Sequence, residues 1–247
     1  MKSVRYLGMA GAAVAGLMTA LPSPAQMQSR TAPGATVPGA PAWYLGGGAG
    51  VSWPQFTGSD WNNVANGLNG AGFGPGLSQS TTNDSTAVAW KVFGGYRVMP
   101  YLGFEVGYTN FGRFDYNYSF SQAGVQTGTA NMSWKGYSIN AVAVPRLPIN
   151  QGLFVQGKIG AAFTSVDNNI SVNLPTLTQQ TSQGKSKTNL LAGAGIGYDF
   201  PNGLGLLLEY EWYGKVGDQF TYSSTDGIQG TGQAQMQVIT VNGLIRF

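Results

Sequence analysis

Eight segments of this chain alternate apolar residues with small or polar ones at a period of two, and the apolar set of every segment is free of charge. Trp43, Leu45, Ala49, Val51 and Trp53 form the first set, and Val88, Trp90, Val92 and Tyr96 the second. Leu102, Phe104, Val106 and Tyr108 follow, then Tyr137, Ile139, Ala141 and Ala143, then Leu153, Val155, Ile159, Ala161 and Phe163. Leu190, Ala192, Ala194, Ile196, Tyr198 and Phe200 make the sixth, and Leu204, Leu206, Leu208, Tyr210 and Trp212 the seventh. Ile239, Val241, Ile245 and Phe247 make the last. The opposite faces carry Lys91, Glu105, Lys158, Asp199, Glu209, Glu211 and Arg246. Strict alternation puts each set on one face of a strand, so the chain reads as all-β with two chemically unlike faces.

The direction of the apolar face decides the solvent. A soluble barrel of the lipocalin kind turns it inward around a ligand cavity; a transmembrane barrel turns it outward, since a lipid-facing Lys or Arg costs about 2–4 kcal/mol at the midplane. Composition favours lipid. Only 9% of residues are charged, against about 25% in soluble domains. Gly46, Gly48, Gly50, Gly193, Gly195, Gly197 and Gly205 lie on the charged faces, where a narrow interior needs small residues. Aromatic residues gather toward the strand ends, as interfacial girdles do. Past the N-terminus no apolar run approaches the ~20 residues of a spanning helix.

The connections alternate in length. Arg97 to Pro100, Arg146 to Gly152 and Pro201 to Gly203 are short; Pro54 to Asp84, Gly112 to Asn131, Asp167 to Ser186 and Gly214 to Gln233 are long and polar. This pattern predicts an eight-stranded antiparallel transmembrane β-barrel of up-and-down topology, its short turns periplasmic and its long loops outside. Register places Lys91, Glu105, Lys158 and Glu209 at similar heights inside, as a neutral layer of two cations and two anions. The first long loop carries Trp53, Phe56, Trp61 and Phe73 among Asn, Gly and Ser, a composition suited equally to contact with an extracellular ligand (a host surface, a phage or another protein) and to a mobile surface coat.

Ahead of the barrel, residues 1–25 read as a signal peptide. Lys2 and Arg5 precede the apolar stretch Leu7 to Leu21, and Pro22-Ser23-Pro24-Ala25 supplies a cleavage site. Residues 26–42, with Pro33, Pro38 and Pro41, read as a periplasmic linker, and residues 43–247 as the barrel. Without Lys2 and Arg5, 11 basic residues stand against 10 acidic ones. They are scattered along the chain, which argues against nucleic acid as a partner.

The run FGGYRVMPYLGFEVGYTNFGR, Phe93 to Arg113, resembles the second and third strands of the OmpA transmembrane-domain family, and LEYEW, Leu208 to Trp212, resembles its seventh. The strand ending at Phe247 is similar to the signature that outer-membrane assembly machinery reads. The resemblance covers about Trp43 to Phe247 and implies a barrel in the bacterial outer membrane, without the family's peptidoglycan-binding domain. Outer-membrane lipids and the assembly machinery are the partners it implies, with Phe247 as the assembly signal. Glu105, Lys158 and Glu209 fall on lumen-charge positions of the family. Other positions of its salt-bridge gate hold Val142, Gly197 and Leu207 here, so a gate of that kind is not expected.

The chain contains no histidine and no cysteine. Acyl-transfer and protease chemistry that relies on a His base, and thiolate chemistry, are therefore excluded. Asp218 and Asp226 read as solvated loop acids, and Glu209 and Glu211 as lumen partners of Lys91, Lys158 and Arg246. Gly46 to Gly50 and the run Gly193 to Tyr198 lie within strands, whereas a phosphate loop needs a strand before it and a helix after it. The expectation is a non-enzyme without cofactor or metal, in a structural or surface-interaction role. The rival is a porin-like small-solute channel, which is disfavoured because eight strands leave an interior that side chains nearly fill.

Overall fold

The computed structural model describes residues 41–55, 77–83, 86–122, 125–174, 177–217, 220–221, 229–230 and 233–247. The proposed signal peptide and nearly all of the linker lie outside these residues, as do Phe56, Trp61 and Phe73. In chain order the strands are β1 (Ala42–Gln55), β2 (Leu77–Asn83), β3 (Ala87–Met99), β4 (Leu102–Gln122), β5 (Val125–Pro148) and β6 (Leu153–Leu174). They continue with β7 (Leu177–Asp199), β8 (Leu204–Val216), β9 (Phe220–Thr221), β10 (Gln229–Gly230) and β11 (Ala234–Arg246).

Eight of these strands close on themselves. The ladder runs β1, β3, β4, β5, β6, β7, β8, β11 and back to β1, every pairing antiparallel. The seam pairs Tyr44 with Arg246 and Gln55 with Gln235. It ends on two reciprocal bonds: Phe247 N donates to Trp43 O at 3.0 Å, and Trp43 N to Phe247 O at 3.1 Å. Closure leaves no sheet edge in the membrane, where an unpaired backbone group costs several kcal/mol.

The apolar face points outward. Leu206 and Val241 are 51% and 58% exposed, whereas the charged Glu209 on the opposite face is 1% exposed. Hydrophobic burial in water does not explain such a surface; a hydrocarbon solvent does. Two aromatic girdles bound it. Trp43 stacks obliquely on Tyr96 at 4.8 Å, and Tyr198 meets Phe200 at 5.1 Å, beside the short turns. At the other end Trp90, Tyr108 and Tyr137 form a chain with 5.3 and 5.6 Å centroid spacings, and Trp53 lies 6.3 Å from Tyr210.

The long connections differ from the expected loops. β4 and β5 stay paired from Arg113↔Lys135 to Gln122↔Val125, and β6 and β7 from Asp167↔Gly184 to Leu174↔Leu177. β2 adds to the outer part of β4, Leu77↔Gln122 through Asn83↔Tyr116. These stretches keep a period of two, Phe114, Tyr116, Tyr118 and Phe120 on β4 and Ile170, Val172 and Leu174 on β6, but set in Asn-, Ser- and Gln-rich sequence. At Gly112, with φ of +82°, a bulge interrupts the β4–β5 ladder between Asn110 and Arg113. The extra residues shift the inward parity from odd to even, so that both Phe111 and Phe114 turn inward.

Candidate functional site

The lumen is packed in layers. Toward the long connections, Phe111, Phe114, Trp134, Tyr213 and Met236 are fully buried in one apolar cluster. Phe111 meets Tyr213 edge-on at 4.8 Å, and Phe114 meets Trp134 at 5.6 Å. Toward the short turns, Tyr44, Phe93, Phe154, Leu207 and Leu244 form a second plug. The inward glycines make room for these rings: a Cβ on Gly95 would lie 2.4 Å from the Tyr44 ring, and one on Gly197 2.3 Å from Phe154. In the narrow interior, the small residues permit large neighbours.

Between the plugs lie the charges. Lys91 on β3 bonds Glu209 of β8 at 2.7 Å and Glu211 at 2.6 Å. Lys158 on β6 bonds Glu105 of β4, reaches Glu209 at 3.0 Å and lies 3.4 Å from Glu211. All five side chains are at most 5% exposed. The four residues placed at one height by register therefore lie within ion-pair distance of an opposite charge. Their sum is not neutral, because Glu211 joins them: three carboxylates face two ammonium groups. Glu211 was legible as a lumen acid, two residues from Glu209 on an alternating strand, but its height was not.

Further hydrogen bonds satisfy the remaining oxygens, which the low dielectric of a closed lumen requires. Tyr213 OH donates to Glu211 at 2.8 Å, Tyr44 OH to Glu105 at 3.3 Å, and Gln156 Nε2 to Glu209 at 3.2 Å. Lys158 Nζ and Lys91 Nζ lie 4.8 and 5.1 Å from the centre of the Phe93 ring, a cation–π contact between layer and plug. Toward the outer plug, Asn140 Nδ2 donates to Thr109 at 3.2 Å and to Tyr213 OH at 3.3 Å. Arg246 pairs with Asp199 at 2.6 Å rather than with the glutamates. Val142 and Leu207 are buried apolar residues, and Gly197 faces the Phe154 ring, so none of these three extends the ion-pair network.

Phe247 is 68% exposed on the outward face, beyond the last residue of β11. No group of three or more acidic side chains suited to a metal occurs among the described residues. The sequence reading missed the outer plug. Trp134 was within reach of it, since it stands at even parity on a strand whose odd residues Tyr137 and Ile139 face out; Phe111 and Phe114 were not, because the bulge at Gly112 carries no apolar signal.

A closed eight-stranded antiparallel barrel with an apolar exterior, two aromatic girdles and a lumen filled by buried salt bridges defines an outer-membrane β-barrel protein of bacteria. The OmpA-like transmembrane domain matches residues 38–247, and the chain belongs to that family. It is 27% identical over 179 residues to outer membrane protein A of Klebsiella aerogenes, covering 72% of this chain and 43% of that one. It is 31% identical over 129 residues to outer membrane protein A of Salmonella typhi, covering 52% and 33%. The chain thus spans less than half the length of these curated relatives. Among solved structures it is similar to the attachment invasion locus protein Ail of Yersinia pestis, with a TM-score of 0.46 and 14% identity over 83% of this chain and 98% of that one. Neisserial surface protein A aligns with a TM-score of 0.47 and 14% identity over 84% and 99%.

Proposed function

We propose that this chain is a structural and surface-presenting barrel of the outer membrane, without catalytic activity. It is anchored passively by its lipid-facing band and acts through the strands and loops that rise from its outer end. The observation that carries this reading is the filled lumen. Two apolar plugs with a hydrogen-bonded ion-pair layer between them leave no continuous aqueous path among the described residues. Lys91, Glu105, Lys158 and Glu209, with Glu211, serve to hold the staves in register and to obstruct the lumen. The outer connections are the surface offered to an extracellular ligand.

In planar bilayers the purified protein should give little or intermittent current at moderate voltage. A sustained, ohmic conductance at most insertions would replace this reading with the small-solute channel.

The assembly role of Phe247 rests on its outward position after Ile239, Val241 and Ile245. Deleting Phe247 should lower the outer-membrane yield in cells several-fold while refolding from urea into detergent proceeds. An unchanged yield at ordinary expression levels would remove Phe247 from that role.

A further inference from the structure

Beside the inner plug, at the short-turn end, lies the mouth of the lumen. Arg97 of β3, Arg146 of β5, Asp199 of β7 and Arg246 of β11 enter it from alternate staves of the barrel. All four keep the inward parity of the lumen face. Arg146 and Arg246 both bond the same Asp199 oxygen, Oδ2, the second at 2.6 Å. Arg146 also lies flat on the Phe154 ring at 3.4 Å, so the inner plug fixes its guanidinium. Arg97 has no carboxylate within ion-pair distance among the described residues. Two guanidinium groups thus share one carboxylate, and the third has none.

Charge bookkeeping over the whole lumen sharpens the imbalance. The central layer carries two lysines and three glutamates, one net negative charge. The mouth carries two net positive charges. Together the described lumen is left with a single positive charge, located at the mouth. The Arg246 side chain is 8% exposed; its Nε is a buried donor, and Asp199 Oδ1 a buried acceptor, with no hydrogen-bond partner. A cavity of about 20 Å³ lies beside these groups, lined by Arg97, Arg146, Arg246, Tyr44, Gln156 and Glu105. Glu105 is bonded to Lys158. A cavity of this size admits one water-sized guest.

We propose that the periplasmic mouth of the barrel is an anion site that holds one small monovalent inorganic anion, of chloride size, against Arg97, Arg146 and Arg246. Guanidinium is weakly hydrated and suits such a partner better than ammonium does. A water molecule satisfies the orphaned Nε but leaves the excess charge in a site shielded by the barrel wall. A multivalent oxyanion would exceed both the space and the charge.

The test compares thermal unfolding of the detergent-solubilised full chain in sodium chloride and in sodium gluconate, at equal ionic strength and pH. Gluconate is too large for the cavity and controls for screening. Chloride should raise the midpoint saturably, by about 3–6 °C at ten times its dissociation constant. Arg97→Gln, which breaks no ion pair, should abolish the rise, and Arg97→Lys should keep part of it. Equal midpoints in the two salts, or a rise that survives in Arg97→Gln, would overturn the proposal. Should Arg97→Gln not fold, crystals of the unaltered protein in sodium bromide decide. An anomalous peak beside the three arginines supports the site, and its absence refutes it.

Discussion

Replacing Lys158 with Met should destabilise the barrel by about 3–5 kcal/mol, as removing one partner of a buried ion pair does. Among the described residues Lys158 is the only cation bonded to Glu105, and it also touches Glu209 and Glu211. Without it, three buried carboxylates remain with Lys91, and Glu105 keeps only the Tyr44 hydroxyl. Methionine matches the lysine stem in length and keeps an apolar contact on the Phe93 ring, so the loss reports charge rather than volume. Urea unfolding in lipid vesicles measures it. Adding Glu105→Gln to Lys158→Met should recover roughly 1–3 kcal/mol, because a neutral amide still accepts from Tyr44. Strict additivity of the two losses would show that Lys158 and Glu105 do not depend on each other.

A second large effect is expected at the seam. Gly50 on β1 faces the lumen, where an added Cβ would lie 1.8 Å from the Ile239 carbonyl oxygen and 2.8 Å from Thr240 Cα. These are backbone atoms of the strand that closes the barrel, so no side-chain rotation relieves the clash. Gly50→Ala should cost about 3 kcal/mol, at the upper end of overpacking penalties, and should reduce the fraction that closes on refolding. Gly243, across the seam on β11, faces lipid with nothing within 4 Å of an added Cβ. Gly243→Ala should stay within about 0.5 kcal/mol. Unheated gel mobility, which separates closed from unfolded barrels, reads both. Equal behaviour of the two variants would show that the β1–β11 seam tolerates a local spread.

Within the membrane the fold was legible because lipid imposes a rule on every stave: apolar residues outside at a period of two, with nothing charged among them. Leu204 to Trp212 show this without ambiguity. The charged layer was legible from the same parity plus the short turns, which set Lys91, Glu105, Lys158 and Glu209 at a common height. Glu211 escaped because one step of two residues along a tilted strand still leaves a long side chain within reach of Lys91. The outer plug escaped because Phe111 and Phe114 straddle a bulge that resets the parity. The continuation of β4 to β7 past the membrane escaped for another reason. Arg113 to Gln122 and Val125 to Lys135 pair through the main chain, and the alternation Phe114, Tyr116, Tyr118 and Phe120 stands there among Asn, Ser and Gln residues that read as a loop.

That continuation has a mechanical consequence. From Arg113 to Gln122 the β4 strand advances about 30 Å at 3.3–3.4 Å per residue, bonded to β5 along this stretch and to β2 from Tyr116 to Gln122. A ribbon braced on both flanks acts as a mast rather than a tether, and it is rooted in staves that the lumen ion pairs lock together. Its tip is carried clear of the membrane's headgroups and sweeps a smaller volume than a slack loop of equal length. A partner docking there meets a surface whose orientational freedom was surrendered during folding, so less of the contact energy is spent on ordering the chain.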